Sequence, residues 1–212
     1  MKYPLSGLPL LLGCLVFCLP ATLWAQEQDY AGLVEQCHRQ ASQVADGVDL
    51  PPSAVQPCEQ ALQAEGYLRQ LQVPVEDWQA QVLRVNYGLM LAEMGFFDKA
   101  TEAYSGALQY SADPAPLYLN RANLYLYTQA YELALADLQY LVSRPQYHAQ
   151  GLYNRALVHH YAGMYLQAQD DFSALAAEFP ESYLEWVVNE DLRAIYPVQL
   201  AETEPGLPGF SD

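Results

Sequence analysis

Histidines and cysteines are the side chains of this 212-residue chain best able to hold a metal or take part in catalysis. His159 and His160 are adjacent. On a helix, neighbouring side chains diverge by about 100°, so the two do not converge on one ion without distortion. His148 stands near a turn and His38 lies far upstream. An enzyme or metal-binding protein using His159 and His160 is therefore the competing class, and nothing joins them to make it. There is no Ser/His/Asp order, no glycine-rich phosphate loop and no clustered acids at glycosidase or metal spacing. The chain reads as non-catalytic, with no metal and no cofactor. Of the four cysteines, Cys14 and Cys18 sit in an apolar leader, which leaves Cys37 and Cys58. With only His38 nearby these two make no tetrahedral ligand set. In an oxidising compartment they are expected to pair, closing a loop of about 20 residues worth about 3 kcal/mol of chain entropy.

The compartment is read from residues 1–25, MKYPLSGLPLLLGCLVFCLPATLWA. They hold one Lys, no acid and an apolar centre from Leu8 to Leu19, and the polar run QEQD begins at Gln26. That is the plan of a secretory signal peptide cut near Ala25, and the apolar centre, interrupted by Pro9 and Pro20, is too short for a permanent span. The expected location is periplasmic or secreted, in or beyond a bacterial envelope. Leu11-Leu12-Gly13-Cys14 is similar to a lipoprotein cleavage box. A lipid on Cys14 would make the protein an outer-membrane lipoprotein, and the alternative function is then that of an assembly factor for an envelope machine such as a pilus or outer-membrane complex. The formal net charge of -16 repels nucleic acid and anionic membrane surfaces.

The elements that must position any site repeat themselves. YLNRANLYLYTQAYELALADL, Tyr118 to Leu138, returns as LYNRALVHHYAGMYLQAQDDF, Leu152 to Phe172, an interval of 34 residues with seven of twenty-one positions identical. The same interval leads back from Asn154 and Asn120 to Asn86, so there are three copies. Each has a small residue two positions after its Asn (Gly88, Ala122, Ala156) and an aromatic eleven after it (Phe97, Tyr131, Tyr165). An Ala follows three later (Ala100, Ala134, Ala168), and a bulky residue four beyond that (Tyr104, Leu138, Phe172). Spacings of three and four put these on one stripe of a helix, and Gly95 and Gly163 fall where one helix should end and the next begin.

A 34-residue helix-turn-helix with this order of residues resembles the tetratricopeptide repeat, over about residues 80 to 180. The turn glycine is replaced by Gln129 in the middle copy, and the closing proline appears only as Pro180. The resemblance implies an all-α solenoid with repeats at about 80–113, 114–147 and 148–181. Ahead of it, residues 26–75 read as a divergent helix pair carrying Cys37 and Cys58, and behind it residues 181–196 read as a capping helix. Residues 197–212 form an acidic tail with too little apolar content to order itself.

The resemblance also implies a concave groove lined by the first helix of each pair, holding another protein or a peptide segment. Carried over position by position, the groove presents Asn86, Asn120 and Asn154, with Leu119 and Tyr153 beside them. Leu89, Asn123 and Leu157 follow one turn on, and His160, Tyr127 and Tyr161 extend the same face. Asn offers donors and an acceptor to the backbone of an extended ligand whatever its side chains. Some relatives grip a C-terminal carboxylate with paired Lys and Asn, but here the only lysines are Lys2 and Lys99, so that clamp is not expected. Arg121 and Arg155 belong to a column that faces helix packing rather than the groove. The competing reading has the chain's own C-terminal segment or a second copy fill the groove.

Overall fold

The computed structural model describes residues 21–187. Most of the expected signal peptide, the capping helix beyond Val187 and the acidic tail lie outside the described residues. The order is α1 (Ala21–Ala45), a 3-10 turn (Pro52–Val55), α2 (Gln56–Gln70), α3 (Asp77–Glu93) and α4 (Phe97–Ala107). Then come α5 (Ala115–Tyr127), α6 (Tyr131–Val142), α7 (His148–Tyr161), α8 (Tyr165–Glu178) and the short α9 (Pro180–Trp186). Two further 3-10 turns, Leu108–Tyr110 and Pro145–Tyr147, follow α4 and precede α7. No strand occurs among the described residues, and the expected all-α fold of packed helix pairs is what forms. The chain divides into two compact units, the first ending at Tyr87 and the second beginning at Gly88, so the boundary falls inside α3.

The first unit is built on the α1 and α2 pair. Tyr30, Val34, Cys37 and Ala41 recur at helical spacing and are all buried, as are Cys58, Ala61 and Leu68 on α2. Cys37 and Cys58 form a disulfide with a Cα–Cα separation of 4.8 Å. Between Ala61 and Leu68 on the same stripe of α2, the Glu65 carboxylate is also buried. A carboxylate removed from water is tolerated only when paired. Here Arg84 donates from Nη1 to Oε2 at 2.7 Å and from Nη2 to Oε1 at 3.2 Å, and Arg69 Nε donates to Oε1 at 2.8 Å.

In the second unit the 34-residue columns become packing. Ala100, Ala134 and Ala168 are completely buried, and Tyr104, Leu138 and Phe172 are buried behind them. The small residue on the facing helix sets the approach. A Cβ on Gly88 would lie 2.9 Å from the Tyr104 ring, inside van der Waals contact. Each pair also turns alike: Gly95, Gln129 and Gly163 have φ of 80, 61 and 75°. The residue after each donates its N–H to a carbonyl five back, Phe96 to Leu91, Ala130 to Tyr125 and Met164 to His159, all at 2.8 Å. These are the bonds of a helix C-terminus capped through a left-handed residue. Gln129 thus adopts the glycine conformation without being glycine.

A periodic ion pair joins successive helices. Arg121 grips Asp137 through Nε and Nη2, both at 2.7 Å, and reaches Ser105 with Nη1 at 2.7 Å. One period later Arg155 grips Asp171 at 3.0 and 2.6 Å and reaches Gln139 at 2.9 Å. Each Arg therefore binds the second helix of its own copy and that of the copy before. At the far end Tyr183 and Val187 are buried in one cluster with Leu152, Phe172 and Leu175, so α9 covers the apolar face of the last copy.

Candidate functional site on the first-helix face

Side chains spaced three and four apart on α5, namely Leu119, Asn120, Asn123 and Tyr127, share one helix face. Two open clefts border it. The larger, about 430 Å³, is lined by Leu89, Ala92 and Glu93 of α3, by Phe97 and Tyr104 of α4 and by Asn120, Asn123 and Tyr127 of α5. The smaller, about 290 Å³, is lined by Leu119 and Asn123 of α5, by Gln150, Tyr153 and Asn154 of α7, and by Trp186. Asn123 lines both. The walls are aromatic: the Phe97 and Tyr127 rings are 5.1 Å apart in the larger cleft, and Tyr153 lies 5.7 Å from Trp186 in the smaller.

Burial shapes the electrostatics. The Tyr104 phenol is pushed up to about 12, first by loss of water and then by the negative charge of Glu93. Tyr153 is raised in the same direction, mainly by burial and next by Tyr161. Both phenols stay neutral at physiological pH. Arg121 is held more firmly protonated, chiefly by its hydrogen bond to Asp137.

The asparagines do not form a uniform ladder. Asn120 and Asn123 have no side-chain hydrogen-bond partner among the described residues. Asn154 Nδ2 donates to the Gln150 carbonyl at 2.8 Å in its own helix, which engages one of its donors. Asn86, expected on the groove, is instead only 9% exposed and donates from Nδ2 to His38 Nδ1 at 3.2 Å. A carboxamide withdrawn from water takes the nearest partner, and in the first unit α1 supplies one. Leu89, Asn120, Asn123 and Tyr127 meet in the larger cleft, and Leu119, Tyr153 and Asn154 join Asn123 in the smaller. Leu157, His160 and Tyr161 line neither. The His160 ring packs edge-on against Tyr161 and Tyr165, 5.2 and 5.8 Å away, while Tyr161 is 60% exposed.

His159 and His160 serve separate surroundings. His159 Nδ1 lies 2.9 Å from Asp171 Oδ2, inside the Arg155 cluster. Among the described residues no group of three His, Cys, Asp or Glu side chains is placed to hold a metal ion. Sequence reasoning missed Gln150 and Trp186. Gln150 was findable, since it precedes Asn154 by one helical turn; Trp186 falls outside the 34-residue register and carries no periodic signal.

No protein-family model matches the chain, and no curated protein matches it by sequence. Among solved structures it is similar to a tetratricopeptide repeat protein from Parabacteroides merdae ATCC 43184, determined at 2.39 Å. The identity is 16%, the match covers 79% of this chain and 73% of that one, and the TM-score is 0.47. The repeat architecture rests instead on the 34-residue columns, the turn geometry and the periodic ion pairs described above.

Proposed function

We propose that the chain is a non-catalytic interaction scaffold of the tetratricopeptide type that holds a polypeptide segment across the first-helix face of α5 and α7. Asn123 carries this reading: it borders two aromatic-walled clefts and has no hydrogen-bond partner among the described residues. Asn120, one helical turn earlier, lines the larger cleft and likewise has no side-chain hydrogen-bond partner among the described residues. An extended peptide presents backbone donors and acceptors that such amides satisfy, while its side chains enter pockets on either side. Exposed aromatics support the same reading, Tyr127 being 73% exposed, because solvent-facing aromatic clusters mark interaction surfaces.

The test is a selection of displayed 12-residue peptides on the full chain, followed by affinity measurement against Asn123→Ala/Tyr153→Ala. Loss of about ten-fold or more is expected from removing an amide and an aromatic anchor. Peptides that bind wild type and double variant equally would sink the groove. The compartment is proposed with it, as periplasm or cell exterior. Intact mass of the mature protein is expected to start near Gln26, whereas a diacylglyceryl adduct on Cys14 would replace soluble release with the lipoprotein reading.

A further inference from the structure

Charge distinguishes the larger cleft from the smaller: the larger contains a carboxylate. Glu93 occupies the column that holds Tyr127 and Tyr161 in the next two copies, and it lines the cleft with Phe97 and Tyr127. It is exposed, and it makes no ion pair or hydrogen bond among the described residues. Its nearest cation in sequence, Lys99, lies over the Phe96 ring at 5.7 Å instead. The surrounding field has the same sign. From Gly88 to Val187 eleven acidic side chains stand against four basic ones, and two of those four, Arg121 and Arg155, are engaged by Asp137 and Asp171.

An unpaired carboxylate beside two aromatic rings is a receptor for a cation. The carboxylate supplies charge-assisted hydrogen bonds, and the ring faces carry the negative part of their quadrupole. An acidic or neutral apolar side chain gains nothing from Glu93, and the net negative field repels the former and attracts the opposite sign. The neutral Tyr104 phenol adds a dipole without adding a competing charge.

We infer that the larger cleft selects a basic side chain, Arg or Lys, within the bound segment, with Glu93 as the specificity-determining residue and Phe97 and Tyr127 as its aromatic walls. The inference rests on the groove reading above and names the chemical class of its partner: an extended segment with a cationic residue flanked by apolar ones. Two amides, Asn120 and Asn123, remain for the segment's backbone beside that residue.

The test uses the full chain and the peptides selected on it. They are expected to be enriched in Arg or Lys. Replacing that residue by citrulline or norleucine should weaken binding about ten-fold, as for loss of one charge-assisted contact. Glu93→Gln should abolish the preference between the basic peptide and its uncharged analogue while keeping the weaker, shared affinity. Raising salt from 50 to 300 mM should weaken the basic peptide on wild type more than on the variant. Selected peptides lacking a basic residue, or an unchanged preference in Glu93→Gln, would overturn the inference and leave the groove standing. Peptides indifferent to Asn123→Ala/Tyr153→Ala would remove both. Displacement of every selected peptide by a synthetic 188–212 segment, or dimerisation lost in Glu93→Gln, would assign the cleft to this chain itself and overturn the inference.

Discussion

At the scale of single residues, Gln129 shows which influence dominates at the turns. A side chain in the left-handed region costs about 1 kcal/mol, yet the turn keeps the same φ and the same 2.8 Å bond as its glycine counterparts. Gln129→Gly is expected to raise stability by about 0.5 kcal/mol, since relief of strain outweighs the extra freedom of an unfolded glycine. Gly163→Ala should lose about 1 kcal/mol. No atom lies within 4 Å of where its Cβ would go, so that cost is conformational alone. Urea midpoints of both variants against wild type check the pair. Tyr104 offers a second measurement. Its folded value is raised from 10.0 to about 12, so the neutral phenol contributes stability fully below pH 10 and loses it as pH rises toward 12. Ultraviolet titration should show a tyrosine phase near pH 12, and Tyr104→Phe should remove that phase.

At the scale of helices, the question is why Arg and Asp recur together. In the first copy the columns of Arg121 and Asp137 hold Tyr87 and Ala103, so both members are absent at once. A partly buried pair costs heavily when halved and little when both members are exchanged for apolar groups. Asp137→Ala is therefore expected to cost about 3 kcal/mol by stranding Arg121, which is largely enclosed. Arg121→Tyr/Asp137→Ala, which copies the first repeat, should recover most of that loss. Denaturant unfolding of the single and double variants, read as a cycle, gives the coupling. The helices themselves were legible because Ala100, Ala134, Ala168 and their bulky neighbours obey a local period that any window reveals. The pairings were less so. Arg121 and Asp137 can be matched only by noticing a joint absence, and Asn86 finds His38 across 48 residues with no period to announce it. Glu65 reads as an ordinary helix-surface acid until Arg84 closes over it.

At the scale of the whole molecule, stability divides by kind. The first unit is fastened by one covalent link and one buried carboxylate, the second by a repeating set of contacts. Cys37→Ala/Cys58→Ala is expected to cost about 3 kcal/mol. Hydrogen exchange should report it as lost protection in α1 and α2 with α5 to α8 unchanged. The clefts were only partly visible in sequence, because a groove needs both the periodic face and whatever caps it. Trp186 enters from α9, where the period has ended.

The double reach of each arginine makes the ladder commensurate. Arg155 accepts Gln139 as its backward partner where Arg121 accepts Ser105, so a second-copy segment already presents the socket that a following copy requires. Residues 114–147 can thus be read as a monomer unit whose two ends match, in the sense of a one-dimensional crystal with a 34-residue lattice constant. A chain carrying that unit twice in tandem should fold with one more Arg–Asp rung and a higher denaturation midpoint. It would also gain one more site between first helices, lengthening the receptor by a whole step without any new kind of contact.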